Sequence, residues 1–223
     1  MITKTKEHKP QVRESQVLFF LCSCALMLLC SCSRRMPSMF GQDYTPQASS
    51  GLNTPGSICL VELQNNTAYP QVSLDVTETL YQTLQKKNLP GLTMLRQSDS
   101  AWQNISLSPD SPYTLEELLA TRSVLGSDAV MIGTVTSYSP YPHMAIGLHL
   151  KLIDLRDGMV AWSVEQVWDT ADKATQQRIK KYFDRQLRHG FAPLDEQLAT
   201  ISSINFLRFV TYDATETLKP AGN

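Results

Sequence analysis

The chain has 223 residues, 42% of them hydrophobic and 18% charged, and a formal net charge of −1. That length suits one globular domain with appendages. The near-neutral balance lacks the basic excess that nucleic-acid binding leaves in a sequence, so nucleic acid is not an expected partner.

The N-terminus reads as a targeting segment. Lys4, Lys6, Lys9 and Arg13 precede a mostly apolar run of thirteen residues, Val17 to Leu29. A bilayer-spanning helix needs roughly 20, so the run is a secretion signal rather than a membrane helix. It closes on Leu29-Cys30-Ser31-Cys32, which resembles a bacterial lipobox. Leu21-Cys22-Ser23-Cys24 fits the same pattern but lies inside the apolar run. Cys32 is therefore the expected lipidation site, carrying palmitate or a similar acyl chain, and residues 1–31 the signal peptide. Ser33 stands where an Asp would favour inner-membrane retention, which implies an outer-membrane anchor with the domain facing the periplasm. Residues 32–56 are then the acylated Cys and a flexible tether, interrupted by Pro37, Gly41, Pro46, Gly51 and Pro55.

A globular domain is expected over 57–218, with 219–223 as a tail. Ile58 to Leu63 is a nearly continuous apolar run, suited to a strand covered on both faces, and Gln64 to Thr67 reads as a polar turn. Val72, Val76, Leu80 and Leu84 recur every four residues and make one stripe of a helix. Asp75 and Glu78 lie early in it and Lys86 and Lys87 late, the order the helix dipole favours. Leu92 to Leu95 is a second strand. The polar stretch 97–112 reads as a long loop. Thr114 and Glu117 form a capping box that opens a helix burying Leu115, Leu118 and Leu119, and Gly126 stops it.

Gly126 to Trp168 is the most patterned part of the chain, with three strands in succession. Ala129 to Tyr138 comes first. From Met144 the residues Met144, Ile146, Leu148, Leu150 and Leu152 share one face. Arg156-Asp157-Gly158 turns the chain, and Val160, Trp162 and Val164 resume the alternation. Asp169 or Thr170 can cap a helix running to His189, with Ile179, Phe183 and Leu187 inward. Ser202 or Ser203 precedes a last helix, Ile204 to Leu218, with Phe206, Val210, Ala214 and Leu218 on one side. The order β-α-β-α-β-β-β-α-α predicts an α/β (α+β) domain: a mixed sheet of about five strands with helices packed on it.

Signatures of chemistry are sparse. The sequence has no Gly-x-Ser-x-Gly elbow, His-Glu-x-x-His pair or phosphate loop. His143 and His149 lack a Cys or acidic neighbour at metal-ligand spacing. Cys59, among Ile58, Leu60 and Val61, reads as a buried strand thiol rather than a nucleophile. No catalysis, cofactor, metal or small-molecule substrate is expected. Two features suit partner binding. Tyr138 and Tyr141, beside Pro140 and Pro142, make either a docking surface or a cover for the edge of the core. Arg178, Lys180, Lys181, Arg185, Arg188 and His189 concentrate positive charge on one helix, either as a contact for an acidic partner or as a solvated face.

GSDAVMIGTVTSY at 126–138 and LHLKLIDLRDGMVAWS at 148–163 resemble a family of bacterial outer-membrane lipoproteins. It comprises the periplasmic domain of the curli secretion channel and the lipoprotein activators of penicillin-binding proteins. The resemblance implies a non-enzymatic, membrane-anchored module that binds another envelope protein or itself. Its alternatives are a protomer of an oligomeric secretion complex and an envelope hydrolase. Against a curli-type pore, Ser139 to His143 and Trp168 to Ala171 leave no room for barrel hairpins, whose strands need about 9–11 alternating residues each.

Overall fold

A computed structural model describes residues 56–105, 107, 112–187 and 202–218. The signal peptide, Cys32, nearly all of the tether, Arg188, His189 and the tail lie outside the described residues.

Residues Ile58–Val61 form β1, and all four are buried because both sheet faces are covered there. Ile58 and Leu60 enter one apolar cluster and Cys59 and Val61 the other, as the two-residue period of a strand requires. β2 (Gln64–Asn65) is where the sequence suggests only a turn. It pairs parallel to the later strand β4, through Gln64 with Thr134 and Asn65 with Val135. The turn falls just beyond, because Asn65 Oδ1 accepts from both the backbone N–H and the hydroxyl of Thr67 at 2.9 and 2.8 Å.

Helix α1 (Val72–Lys86) buries the expected stripe of Val72, Val76, Leu80 and Leu84. β3 (Leu92–Leu95) follows. The supposed loop at 97–112 contains a short 3-10 helix, Ser100–Asn104, and Trp102, Ile105 and Leu107 pack into the second cluster. Apolar contact thus holds Trp102, Ile105 and Leu107, which the polar composition around them disguises.

Helix α2 (Leu115–Leu125) has the expected capping box: the Thr114 hydroxyl accepts from Glu117 N–H, and the Glu117 carboxylate accepts from Thr114 N–H. Gly126 ends it with φ +60°, in the left-handed region that favours glycine. Its burial departs from expectation. Leu118 is buried, but Leu115 and Leu119 are 62% and 49% exposed. A narrow contact explains the difference: one turn of α2 meets the sheet, and the second inward residue is Thr121 rather than another Leu.

β4 (Ala129–Ser139), β5 (Ala145–Asp154) and β6 (Val160–Asp169) form an antiparallel meander. Gly158, at φ +75°, makes the β5–β6 turn, closed by Gly158 N–H to Asp154 O at 2.8 Å. Gly133 lets β4 and β5 approach closely, since a Cβ there would lie 2.5 Å from the His149 carbonyl and from Leu150 Cδ2. Helices α3 (Lys173–Leu187) and α4 (Ser203–Ala214) complete the fold. α3 is capped by Asp172, not Asp169 or Thr170: Asp172 Oδ2 accepts from the Thr175 N–H and hydroxyl at 2.9 and 3.0 Å. α4 stops at Ala214, four residues short of expectation, yet Leu218 is still buried.

The result is a mixed α+β sheet of six strands. Five lie in the order β3-β1-β4-β5-β6, and β2 pairs with β4 off that path. β1 pairs in parallel with both β3 and β4. The larger cluster joins α1, α3 and α4 to one face, and α2 covers part of the other. Among the described residues no helix is long and apolar enough to cross a membrane.

Candidate binding surface

Tyr138 sits at the end of β4, and its ring meets Tyr69 edge-on with centroids 5.2 Å apart. It packs against the main core, and burial raises its hydroxyl pKa, with smaller contributions from Asp75 and Tyr69. Three residues on, Tyr141 is 84% exposed in the β4–β5 turn, where its carbonyl accepts from the Ser139 hydroxyl at 3.0 Å. Tyr69 and Ile204 are exposed at the same end, by 44% and 45%, and Tyr138 ties them together through its ring contact and a hydrogen bond to Ser203. Of the two tyrosines singled out in the sequence, one therefore closes the core and the other faces solvent. Nearby, His143 Nε2 lies 3.6 Å from Asp169 Oδ1. Among the described residues no three His, Cys, Asp or Glu side chains converge as a metal site would need.

The basic helix divides differently from its sequence pattern. Arg178 turns inward and donates to Asp213 Oδ2 at 2.7 Å and to the Thr175 hydroxyl at 3.3 Å. The same carboxylate oxygen accepts the indole N–H of Trp168. Burial pushes the Asp213 carboxyl upward in pKa, and the Trp168 and Arg178 bonds pull it back. Arg185 is exposed but bonded to the Tyr212 hydroxyl of α4 at 3.0 Å and to Glu216, just past its end, at 3.1 Å. Lys180 and Lys181 point to solvent. Of the described sequence candidates, Tyr141, Lys180 and Lys181 are therefore the ones whose side chains are turned outward.

Beside Tyr212 lies a cavity of about 220 Å³ between α1, α3 and α4. Lys86 and Lys87 reach it from α1, Tyr182 from α3, and Arg208 and Tyr212 from α4. Sequence reasoning assigned Lys86 and Lys87 only to the helix dipole and did not single out Arg208 or Tyr212. Arg208 and Tyr212 are four apart and share a helix face, but nothing local shows that α1 faces the same space.

No protein-family model and no curated protein matches the chain. Several solved structures do. The LpoB C-terminal domain from Salmonella enterica is 26% identical over 54% of this chain and 87% of that one, with a TM-score of 0.39. The PelC dodecamer from Paraburkholderia phytofirmans is 13% identical over 80% of this chain and 97% of that one, with a TM-score of 0.48. Lipoprotein GNA1162 from Neisseria meningitidis is 16% identical over 62% of this chain and 100% of that one, with a TM-score of 0.38. All three scores lie below 0.5, so they bear on neither function nor partner.

Proposed function

We propose that this chain is an acyl-anchored lipoprotein of the bacterial outer membrane whose periplasmic domain binds another envelope protein. The observation that carries the reading is the aromatic end of the sheet, where Tyr141 stands exposed three residues beyond Tyr138, whose ring meets the exposed Tyr69. Tyrosine offers a large apolar area with a polar tip and few rotors to freeze, the chemistry found at the centres of protein interfaces. Its position in the β4–β5 turn presents it outside the core. The lipobox ending at Cys32 and the broken tether behind it support an anchored placement.

A photo-crosslinking residue in place of Tyr141, introduced in living cells, tests the binding reading. The expected result is one discrete adduct with an envelope protein, absent when the same residue replaces Lys180. Adducts of equal yield and pattern at both positions would overturn it. Self-adducts that form a ladder at position 141 would instead favour the oligomeric secretion complex. Labelled palmitate incorporation, lost in Cys32→Ala, tests the anchor separately.

A further inference from the structure

The cavity among α1, α3 and α4 gathers Lys86, Lys87 and Arg208, three cations, and its described lining contains no carboxylate. The acid that acts on Lys87 is Glu216, which is bonded to Arg185 instead. Lys86 and Arg208 are exposed and Lys87 half-buried, so the recess opens to solvent with three positive charges along it, which favours an anion there. We propose that this cavity binds the phosphate ester of a small polyol, as a ligand that is not turned over. This goes beyond the protein-binding reading and does not depend on it.

Charge, donors and size converge on that class. A phosphate monoester carries about −1.5 to −2 at neutral pH, enough to offset most of the local charge. The donors are partly committed but not exhausted. Lys87 Nζ gives one of its three hydrogens to the Leu218 carbonyl at 3.3 Å. Arg208 Nη1 bonds Asn205 Oδ1 at 3.2 Å, leaving the rest of the guanidinium fork. The Tyr212 oxygen accepts from Arg185, so its own hydrogen is left to donate. Burial lowers the pKa of Lys87, with Glu216 opposing in part, so a bound anion would reinforce its charged form.

The lining threonines specify the rest of the ligand. Thr79 and Thr83 donate their hydroxyl hydrogens back to the carbonyls of Asp75 and Thr79, at 2.7 and 2.9 Å. Thr83 Oγ1 also pairs with Thr211 Oγ1 at 3.0 Å, so each lining threonine oxygen keeps at most a lone pair, and with the Gln82 amide these suit ligand hydroxyls rather than more phosphate. At about 220 Å³ the space is below the roughly 300–1,000 Å³ of sites for drug-sized molecules, and fits a headgroup. The glycerol phosphate group occurs as a monoester in free metabolites and as a singly charged phosphodiester in lipid headgroups.

Two arms distinguish these sources. In the first, the full acylated chain in phosphatidylcholine nanodiscs is titrated calorimetrically with sn-glycerol 3-phosphate and with inorganic phosphate. Saturable binding of one ester per chain is expected, tighter than inorganic phosphate. Lys87→Met and Arg208→Gln should each weaken it about tenfold or more, the worth of a charged hydrogen bond. Lys180→Gln and Lys181→Gln should leave it unchanged. Tyr212→Phe provides a milder variant should either charge change disturb folding, and it too should weaken binding. In the second arm, the unacylated Cys32→Ala chain is floated with phosphatidylcholine vesicles with and without phosphatidylglycerol. Flotation dependent on phosphatidylglycerol and on Lys87 and Arg208, without binding of the soluble ester, assigns the site to a lipid headgroup. Absence of saturable binding in both arms, or equal loss in the Lys180 and Lys181 variants, overturns the proposal.

Discussion

Trp168 donates its indole N–H to Asp213 Oδ2 at 2.7 Å, joining the edge strand β6 to helix α4 through a half-buried carboxylate. Arg178 shares that oxygen, so one side chain fastens a strand and two helices. Asp213→Ala strands the indole N–H and the guanidinium together and should cost about 1–3 kcal/mol in urea unfolding. Asp213→Asn keeps an acceptor for the indole and should cost less.

The acid response has two opposed parts. Asp154, held by Arg156, has its pKa lowered below the ordinary 3.8, chiefly by that hydrogen bond. Its contribution is fully present above the ordinary value and is lost as the pH falls through the lowered one. Asp213 is raised, so the folded state keeps a proton that the unfolded chain has released, and stability falls as the pH rises between 3.8 and the raised value. Denaturant midpoints measured across acid pH should therefore rise less steeply with pH below 3.8 in Asp154→Asn. Above 3.8 they should rise more steeply in Asp213→Asn.

Adjacent leucines of α2 should behave unequally. Leu118 is 4% exposed and Leu119 is 49% exposed. Leu118→Ala should lose about 2–5 kcal/mol of stability, while Leu119→Ala should stay within about 0.5 kcal/mol. Equal losses in chemical denaturation would mean that α2 is turned differently on the sheet.

Two glycines should fail for different reasons. At Gly133 a methyl group would press on the His149 backbone, which cannot rotate aside, so Gly133→Ala should cost about 1–3 kcal/mol or more. At Gly126 a methyl group meets nothing within 4 Å, and only the positive φ penalises it. Gly126→Ala should cost about 1–2 kcal/mol, and Gly126→Asn less, as thermal melts of the three variants would show.

Where a signal is local, the sequence already contained the structure. The Thr114–Glu117 box, the Asp157-Gly158 turn and the alternation from Met144 to Leu152 each depend on residues a few positions apart. Leu115, Leu118 and Leu119, at i, i+3 and i+4, predict one buried face, yet only Leu118 is covered, because which part of that face is buried depends on tertiary neighbours no local pattern shows. β2 is two residues long and exists only because β4 lies beside it. Arg178 reads as surface charge until Asp213, 35 residues away, is seen to accept from it. The cavity is less legible still, since its cations come from helices that adjoin only in the folded chain.

The pairing of β1 also sets an order of assembly. β4, β5 and β6 are joined by short turns, so that meander can close at little cost in loop entropy. Ile58 must instead wait for both Leu92 and Ala129, its partners on either side. A strand translated early is thus completed late, and the time between is when Ile58, Cys59, Leu60 and Val61 are open to the wrong neighbour.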